Sequence, residues 1–532
     1  MLPLRPCCLV LGLSVEQPFA IVDSAGVPMP LLEEGPRLVE ESLERGMFPS
    51  LAPERIPKGG AEDITNGLLD EQNVVYRRGG TTFLDQTPHG DPRLLWSGFL
   101  RAVAGEHRLL ATDGGSFVDG SAVALTAPSA LTRAQVFEGI LYLPGGVTWD
   151  GATAGTATNA RGKKAFYATA GGRLLAGEGN QIYFSQIPTK AAEALTWAET
   201  DFHALPDGVQ ITGMEGLRTS CVVFTTEGIW LIGGLNRELT DAEGNIQQTL
   251  DRYSPNAVLW GNNGVAGWQG GLIVPCKDHI WLTTLGVSSE RAAPFVHIDD
   301  AIESVYRKYV GAGYKPGVAA VHRGHYFLPI VNGSDVIDLL VCRLDSTNSR
   351  GQHTYPWTHF ADYGSRVAAM ASTDEDVGLI GATAGVGRTL NLSYFEPSTA
   401  LSADADGTPH SFSVTYRDLM TGNLVANLVR KARLSYRLVA PGDSALVMSF
   451  SATRWGTRWG EFLWGKAKWV GSGGPFQVLE GEAPPDAEAL HPFTWHVRRK
   501  IRFARVRVDL KGPAGSVSLR SLELFTRGSG RL

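Results

Sequence analysis

The sequence predicts an all-β protein in which a β-propeller of six or seven irregular blades lies between an N-terminal arm and a C-terminal β-sandwich. Glycine supplies 63 of the 532 residues, above the usual ~7%, and no collagen-like period accompanies it. So many glycines predict many turns between short strands. A loose repeat through the middle of the chain and a strict apolar-polar alternation near its end favour the same fold class.

Residues 1–60 are predicted to form the N-terminal arm. The stretches "CLVLGL" and "FAIVDSAGVPMPLL" are typical of strands, and "PRLVEESLERGMF" is the best helix candidate in the chain. The first apolar stretch is short and no small-residue cleavage site follows it, which favours a first strand over a signal peptide. No apolar run approaches the ~18–20 residues of a membrane-spanning helix, so none is predicted.

Residues 61–395 are predicted to form the propeller. Each unit of the repeat begins with an apolar pair, passes through a turn and continues as two apolar runs that end in glycine. Units begin at Val103, Val136, Leu174, Ile211, Val265, Val318 and Val367. Four short antiparallel strands with their turns need about 40–50 residues, and the units recur at close to that interval. A closed ring leaves only short edges exposed; a pair of irregular sandwiches is the alternative.

Residues 396–411, "EPSTALSADADGTPHS", are polar and rich in turn residues, and are predicted to be a linker. Residues 412–532 contain five stretches that alternate with period two, as the half-exposed strands of a sandwich do. The chain from Arg417 onward carries 19 basic and 9 acidic residues, whereas the preceding part carries 29 basic and 45 acidic residues. This reversal of charge predicts a change of domain and, between copies, oppositely charged surfaces that attract.

No motif for nucleotide or metal binding is complete. In "GTATNARGKK", residues 155–164, Lys164 stands where a phosphate-binding loop needs a magnesium-binding hydroxyl. His322 and His325 are three residues apart and would point to opposite faces of one strand, which predicts surface histidines. "DADG", residues 404–407, lacks two ligands of a calcium loop and is interpreted as a hinge turn. The five cysteines are scattered and fit neither a disulfide framework nor a zinc site. The sequence therefore predicts no cofactor and no metal.

Enzyme chemistry is also not predicted. Propellers host glycosidases that use two carboxylates, but the candidates Asp113 and Asp150 each precede a glycine, as turn residues do. No nucleophile-elbow or zinc-protease motif occurs.

Four tryptophans are clustered near the end of the chain, in the stretch "RWGTRWGEFLWGKAKW". They are Trp455, Trp459, Trp464 and Trp469. Flat aromatic rings at this spacing could stack on sugars, but packing between the two sheets of the sandwich is the favoured interpretation.

The stretch "NGLLDEQNVVYRRGGTTFL", residues 66–84, resembles the segment that leads into the propeller of bacteriophage tail nozzle proteins, also called tail tubular or DNA-stabilisation proteins. Where that family has arginine-proline-glycine, this chain has Arg78 followed by two glycines. Residues 180–234 are similar to the family's most recognisable blade, and residues 494–525 to its closing strands. With the stretches "TYRDL" and "VRKARLSYRL", the resemblance covers about half of the chain.

The resemblance implies a structural protein of the virion tail rather than an enzyme. It implies a ring, commonly of six copies, that continues the channel of the portal and adaptor, retains packaged DNA and lets it pass at ejection. The implied partners are other copies of the chain, portal, adaptor and other tail proteins, and double-stranded DNA that passes without sequence-specific contacts. Arg77 and Arg78 are expected to be structural or interface residues. If the acidic part of the chain lines the lumen, it would repel DNA phosphates and let the duplex slide.

Two alternatives belong to other functional classes. A tail-tip or receptor-binding propeller would recognise a host surface glycan through its exposed tryptophans and loops. A propeller glycosidase would need two acidic residues that converge at the mouth of the channel.

Overall fold

The structure is a computed structural model that describes most of the chain beyond the first 36 residues. The described residues are 37–53, 55–70, 72–157, 162, 164–188, 195–236, 248–254, 257–283, 295–348, 351–362, 366–373, 378–392, 403–420, 427–438, 445–452, 475–481, 491–501, 503–511 and 517–528. They are almost entirely strands and turns, which confirms the predicted all-β class.

Six strands precede the first blade. They are β1 (Arg37–Glu41), β2 (Gly46–Met47), β3 (Gly60–Thr65), β4 (Gly67–Leu69), β5 (Val75–Arg77) and β6 (Thr82–Asp85). The helix predicted for "PRLVEESLERGMF" is wrong, since β1 pairs antiparallel with residues 522–526 near the other end of the chain. A helix this short is marginal by itself, and the long-range ladder decides the conformation.

Four blades follow in chain order, each a four-stranded antiparallel sheet. The first two contain β7 (Pro92–Phe99), β8 (Glu106–Thr112), β9 (Gly115–Val118) and β10 (Ser121–Val123), then β11 (Gln135–Phe137), β12 (Ile140–Leu143), β13 (Val147–Trp149) and β14 (Ala154–Thr156). The third and fourth contain β15 (Phe166–Ala170), β16 (Arg173–Glu178), β17 (Gln181–Ser185) and β18 (Trp197–Ala204), then β19 (Ile211–Leu217), β20 (Ser220–Thr225), β21 (Gly228–Gly233) and β22 (Thr249–Ser254).

Three more blades complete the ring. Blade 5 contains β23 (Ala266–Trp268), β24 (Gly271–Pro275), β25 (Ile280–Thr283) and β26 (Phe295–His297), and helix α1 (Glu303–Gly311) follows it. Blade 6 contains β27 (Lys315–Pro316), β28 (Ala320–His322), β29 (His325–Asn332), β30 (Asp335–Arg343) and β31 (Trp357–Phe360). Blade 7 contains β32 (Val367–Ser372), β33 (Leu379–Thr383) and β34 (Thr389–Asn391).

The ring is closed by a strand from before blade 1. β6 pairs antiparallel with β34 and becomes the fourth, outer strand of blade 7. On the inner side, β32 of blade 7 lies against β7 of blade 1. The described residues therefore form a closed propeller of seven blades.

Each blade buries both of its faces, because successive side chains of a strand point to opposite sides. Leu94 packs against blade 2 and Leu95 against blade 7. In blade 4, Val222 packs against blade 5 and Val223 against blade 3. The same alternation around the ring gives an apolar core between every pair of neighbouring blades.

The C-terminal part of the chain forms a sandwich of two sheets. Its strands are β35 (Ser413–Tyr416), β36 (Leu419–Met420), β37 (Asn427–Leu438), β38 (Ala445–Ala452), β39 (Pro475–Gly481), β40 (His491–Ile501), β41 (Phe503–Lys511) and β42 (Val517–Gly528). One sheet has the order β4-β5-β42-β37-β40, with β1 also on β42, and the other contains β2-β3-β35-β41-β38-β39. Leu434 and Leu522 of the first sheet and Val506 of the second share one core.

The strands β1 to β5 belong to this sandwich, which differs from the predicted division at residue 60. Ile64 and Leu69 lie in the core of the sandwich, and β3 pairs with β35. Residues 61–77, assigned from composition to the propeller, thus complete both sheets of the C-terminal domain. Strand composition does not reveal which distant strand will be the partner.

Blade 6 and the sandwich are joined by a continuous sheet of twelve strands. β31 of blade 6 pairs in parallel with β2 and β3. Gly46 has φ +71° and faces the backbone of Trp357, so that a Cβ at this position would lie 2.5 Å from the Trp357 nitrogen. The close approach of β2 to β31 therefore requires glycine.

In the part of the chain that the structure describes, no helix has the length and apolar character needed to cross a membrane.

Candidate functional site

Arg78 is buried where the chain passes from the sandwich into the propeller. Its Nη1 and Nη2 atoms lie 2.8 Å from Oδ1 and Oδ2 of Asp404, and both side chains are fully excluded from solvent. This bidentate geometry is the strongest form of arginine-carboxylate pairing. The pair joins the start of the propeller to the chain segment that leaves it.

All five N–H groups of the Arg78 guanidinium have acceptors. Besides Asp404, Nε donates to Asn66 Oδ1 at 3.0 Å, Nη1 to the Gly79 carbonyl at 3.1 Å and Nη2 to the Ala361 carbonyl at 3.2 Å. The guanidinium also lies over the Phe360 ring, 5.4 Å from its centroid. Burial of this side chain therefore leaves none of its N–H donors without an acceptor, which avoids the cost of an unsatisfied buried polar group.

Arg77 and His410 form a second layer of the same cluster. Arg77 Nη2 donates to the His410 carbonyl at 2.7 Å, and His410 Nε2 donates to the Arg78 carbonyl at 2.8 Å. Burial, and then the charge of Arg78, lower the pKa of Arg77 to about 10. Burial, and then the charges of Arg78 and Arg77, lower the pKa of His410 to about 3, so its ring is neutral.

These contacts define the arginine clamp, which consists of Asn66, Arg77, Arg78, Asp404 and His410. The two arginines were expected from the sequence to be structural or interface residues, and the structure places both of them here. Asp404 and His410 were not predicted as members of the site, because the polar segment that contains them was interpreted as a linker with a hinge turn. The signal that could have identified them is the presence of aspartate and histidine residues in this segment.

The charge reversal along the chain is partly neutralised inside the sandwich. Arg417 pairs with the buried Glu41, and Arg505 Nε lies 3.3 Å from Glu62 Oε2 and 3.1 Å from Asp418 Oδ1. Basic residues of the C-terminal part thus pair with acidic residues of the N-terminal strands in the same domain. The reversal of charge therefore reflects which strands pair, as well as a change of domain.

The axis of the propeller is obstructed by the segment between blades 1 and 2. Thr132 N donates to the Arg93 carbonyl of blade 1 at 2.9 Å, and the Leu131 carbonyl accepts from Asn263 Nδ2 at 2.9 Å. Arg133 Nη1 lies 2.8 Å from Glu215 Oε2 of blade 4. In a ring of seven, blade 4 and the Asn263 turn before blade 5 lie opposite blade 1, so this segment reaches across the axis.

A cavity of ≈ 270 Å³ adjoins this segment and is lined by Leu95, Arg133, Met370 and residues 318–321 of the inner strands. Because Thr132 bonds to blade 1 and Arg133 pairs with blade 4, the segment leaves no straight path for a DNA duplex along the axis of the propeller.

The candidate acids of the glycosidase alternative are turn residues. Asp113 Oδ1 accepts from the Asp91 amide at 2.8 Å. Asp150 Oδ1 accepts from the Ala152 and Thr153 amides at 2.9 and 2.8 Å. In the part of the chain that the structure describes, backbone amides and the Thr153 hydroxyl, rather than another carboxylate, are the partners of these side chains.

His322 and His325 differ from the prediction of surface histidines in one strand. They lie on adjacent strands, directly opposite each other across a two-residue turn, and both are buried. His325 Nε2 donates to the Leu69 carbonyl at 2.8 Å, which ties blade 6 to the sandwich. Burial, followed by the charge of Arg343, lowers the pKa of His325 to about 3.

The four clustered tryptophans lie outside the described residues. They are Trp455, Trp459, Trp464 and Trp469. Their two alternatives, sugar stacking and packing between the sheets, stay as predictions.

Acidification is expected to destabilise the protein through His325 and His410. An unfolded histidine has a pKa near 6.5, while the folded values are about 3, so between these pH values the unfolded chain binds more protons. The stability is fully present above about pH 6.5 and is lost as the pH falls toward 3, by at most ~1.4 kcal/mol per pH unit for each group. Urea unfolding midpoints at pH 7, 6 and 5 would measure this loss.

Two histidine-to-glutamine variants separate the contribution of the buried His325 ring to the pH dependence from that of an exposed histidine. His325→Gln should flatten the decline between pH 7 and 5, whereas His353→Gln, at an exposed loop position, should leave it unchanged. An equal slope in both variants would contradict the assignment.

His359 is expected to contribute to the pH dependence of stability with the opposite sign, so that stability is lost at alkaline pH. Burial disfavours its charged ring, but hydrogen bonds with Asp338 and Asp63 outweigh burial and raise the pKa to about 10. Its stabilising contribution is therefore present below about pH 6.5 and is lost as the pH rises through 10. The Nε2 atom of His359 lies 3.0 Å from Asp63 Oδ1, across the junction between blade 6 and β3.

Comparisons with known proteins give no family. No family model matches the chain, and no curated protein matches it. Among solved structures, YCF48 from Cyanidioschyzon merolae is 10% identical, with a TM-score of 0.37, over 59% of this chain and 98% of that one. The extracellular domain of the putative hybrid two-component system BT4673 from B. thetaiotaomicron is 13% identical, with a TM-score of 0.36, over 59% of this chain and 39% of that one. Human WBSCR16 is 15% identical, with a TM-score of 0.27, over 47% of this chain and 71% of that one. At these TM-scores the likeness adds nothing to the strand pairing described above.

Proposed function

We propose that this protein is a structural component of a bacteriophage tail. In the proposal, copies assemble into a nozzle ring, commonly of six, which continues the channel of the portal and adaptor. The ring retains packaged DNA and lets it pass at ejection, without catalysis and without a cofactor. The proposal starts from the resemblance of residues 66–84, 180–234 and 494–525 to the tail nozzle family.

The structural observation that carries the proposal is the continuous sheet and the buried ion pair that join the two domains. The twelve-stranded sheet runs from blade 6 into the sandwich, and the arginine clamp fixes the segment between the domains. Interfaces between domains of one chain usually allow relative motion unless they are large and apolar. A subunit that retains packaged DNA benefits from domains that do not move independently, and a sheet shared by both domains supports this role.

The obstructed axis determines where DNA would run. Since the segment around Arg133 reaches across the propeller, the channel of the proposed assembly lies at the centre of the ring of copies. The outer surfaces of the blades or of the sandwich would then line it. The first 416 residues are acidic in balance, so a lumen built from propeller surface would repel phosphates and let the duplex slide.

The copy number of the chain in purified particles tests this proposal. Quantitative mass spectrometry of virions whose genome encodes the chain should give six copies per twelve portal subunits. The portal protein of the same sample is the internal standard. Three copies, or a number that scales with tail length, would favour a tail-tip or receptor-binding role. Absence from the particle would refute the structural role altogether.

A further inference from the structure

Three metal-ligating side chains converge at the outer side of blade 5. His279, His297 and Asp299 each place one possible ligand atom within 4.8 Å of the other two. These residues are up to 20 positions apart in the sequence and come together because β25 pairs with β26. They belong neither to the arginine clamp nor to the obstructed axis.

The strand register explains the convergence. β25 and β26 are antiparallel, with Trp281 opposite His297, and the Ile298 amide donates to the Ile280 carbonyl at 3.0 Å. The same register places His279 opposite Asp299. Residues two apart in a strand share a face, so all three side chains lie on one side of the sheet.

The distances fit a small cation with nitrogen and oxygen ligands. His279 Nδ1 lies 3.3 Å from Asp299 Oδ1, and the rings of His279 and His297 have centroids 4.2 Å apart. With bonds of about 2.0–2.2 Å, neighbouring ligand atoms of a tetrahedral zinc ion are roughly 3.3–3.6 Å apart. A modest approach of the His297 ring would complete the third bond.

The state of Asp299 is an independent indication of a missing partner. Its side chain is fully buried, and within the described part of the chain its Oδ2 atom accepts no hydrogen bond. A buried carboxylate oxygen is costly unless a donor or a cation satisfies it. The ring of Trp281, whose centroid is 4.1 Å from that of His297, provides an apolar wall, while the partly exposed His297 leaves a path from solvent.

We propose that His279, His297 and Asp299 bind a divalent transition metal of the zinc class. Two imidazoles and one carboxylate form a donor set suited to such ions, and three protein ligands leave a fourth position for water or another ligand. The site does not depend on the proposed tail function. Hard cations such as Ca²⁺ prefer six to eight oxygen ligands, which this cluster does not offer.

The positive charge of Arg307 disfavours the binding of a cation at this site. Arg307 Nη2 lies 3.5 Å from His279 Nε2, and Arg307 also pairs with Glu303 at 2.7 Å. Its side chain is half exposed, so it can turn toward Glu303 when an ion binds to Nδ1 of His279. Removing this charge should strengthen binding.

Calorimetric titration with Zn²⁺ tests the site in the full-length chain, purified without a polyhistidine tag and stripped with a chelator. The expected result is one ion per chain, with proton release because bound histidines must be deprotonated. His297→Ala should weaken binding at least about tenfold, because even outer-shell changes weaken metal sites ~10–100-fold. Arg307→Gln should tighten it, and excess Ca²⁺ should not compete.

The controls keep the result interpretable. His353→Ala removes an exposed histidine outside the cluster and should bind as the parent chain does. His297 is partly exposed, so its replacement is not expected to prevent folding, whereas Asp299 is fully buried and Asp299→Asn is the less suitable variant. Equal Zn²⁺ binding by the parent chain and His297→Ala, or no binding by either, would overturn the proposal in favour of a plain hydrogen bond between His279 and Asp299.

Discussion

Replacing Arg78 with methionine is expected to lower the free energy of unfolding by about 3–5 kcal/mol. The substitution removes one partner of a fully buried pair and leaves the Asp404 carboxylate without its bidentate donor. Breaking a buried ion pair on one side costs about this much because the remaining charge is uncompensated. Asn66 and the Ala361 carbonyl would lose hydrogen bonds at the same time. Urea unfolding followed by tryptophan fluorescence measures the loss.

A matched surface pair and a double variant complete this test. Arg507 Nη2 lies 2.8 Å from Asp509 Oδ1, but its side chain is 55% exposed, so Arg507→Met should cost less than about 1 kcal/mol. The double variant Arg78→Met with Asp404→Leu should recover much of the loss, since neither member of the pair is left as an unpaired buried charge. Equal losses for Arg78→Met and Arg507→Met would contradict a structural role of the clamp.

Replacing Trp357 with alanine is expected to cost about 3–5 kcal/mol, the range for removing a large aromatic residue from a core. The Trp357 side chain is fully buried in the core that blade 6 shares with the sandwich, at right angles to the ring of Tyr326. Its Nε1 atom donates to the Ile298 carbonyl. The cavity would open beside the parallel pairing of β31 with β2, so both domains should lose stability together.

Hydrogen exchange distinguishes this coupled loss from a local one. In Trp357→Ala, amides of both β30 and β3 should exchange faster, while those of the distant blade 3 should change less. Trp357→Phe keeps most of the volume and loses the donor to Ile298, so its expected cost is about 1–3 kcal/mol. Faster exchange confined to blade 6 would argue against a shared core.

The sequence predicted the type of fold better than the placement of its strands. The units that begin at Ile211 and Val367 coincide with the first residues of β19 and β32. The unit placed at Leu174 begins instead in β16, the second strand of blade 3, and Val103 lies after β7. Apolar runs and glycines mark strands and turns, but they do not indicate which strand is innermost.

The local sequence pattern could not predict which distant segments pair with each other. Residues 37–41 look helical by composition, yet they pair with β42 near the opposite end of the chain.

The candidate sites could be predicted only in part, for the same reason. Arg78 stood out in the sequence, whereas Asp404, its partner, was interpreted as part of a turn. His279 and Asp299 are separated by residues that give no sign of the strand register bringing them together.

The closure of the ring by β6 has a consequence for biosynthesis. Thr82 pairs with Asn391, so the propeller cannot close until roughly 300 further residues have been made. At ~5–20 residues per second, this corresponds to about 15–60 s on the ribosome. The sandwich can be completed only later still, because β1 pairs with β42, which is synthesised near the end of the chain. During this interval the early strands present open edges, which can pair with another nascent chain as easily as with their own. We therefore expect the yield of correctly folded subunits to fall when ribosomes are closely spaced on the message.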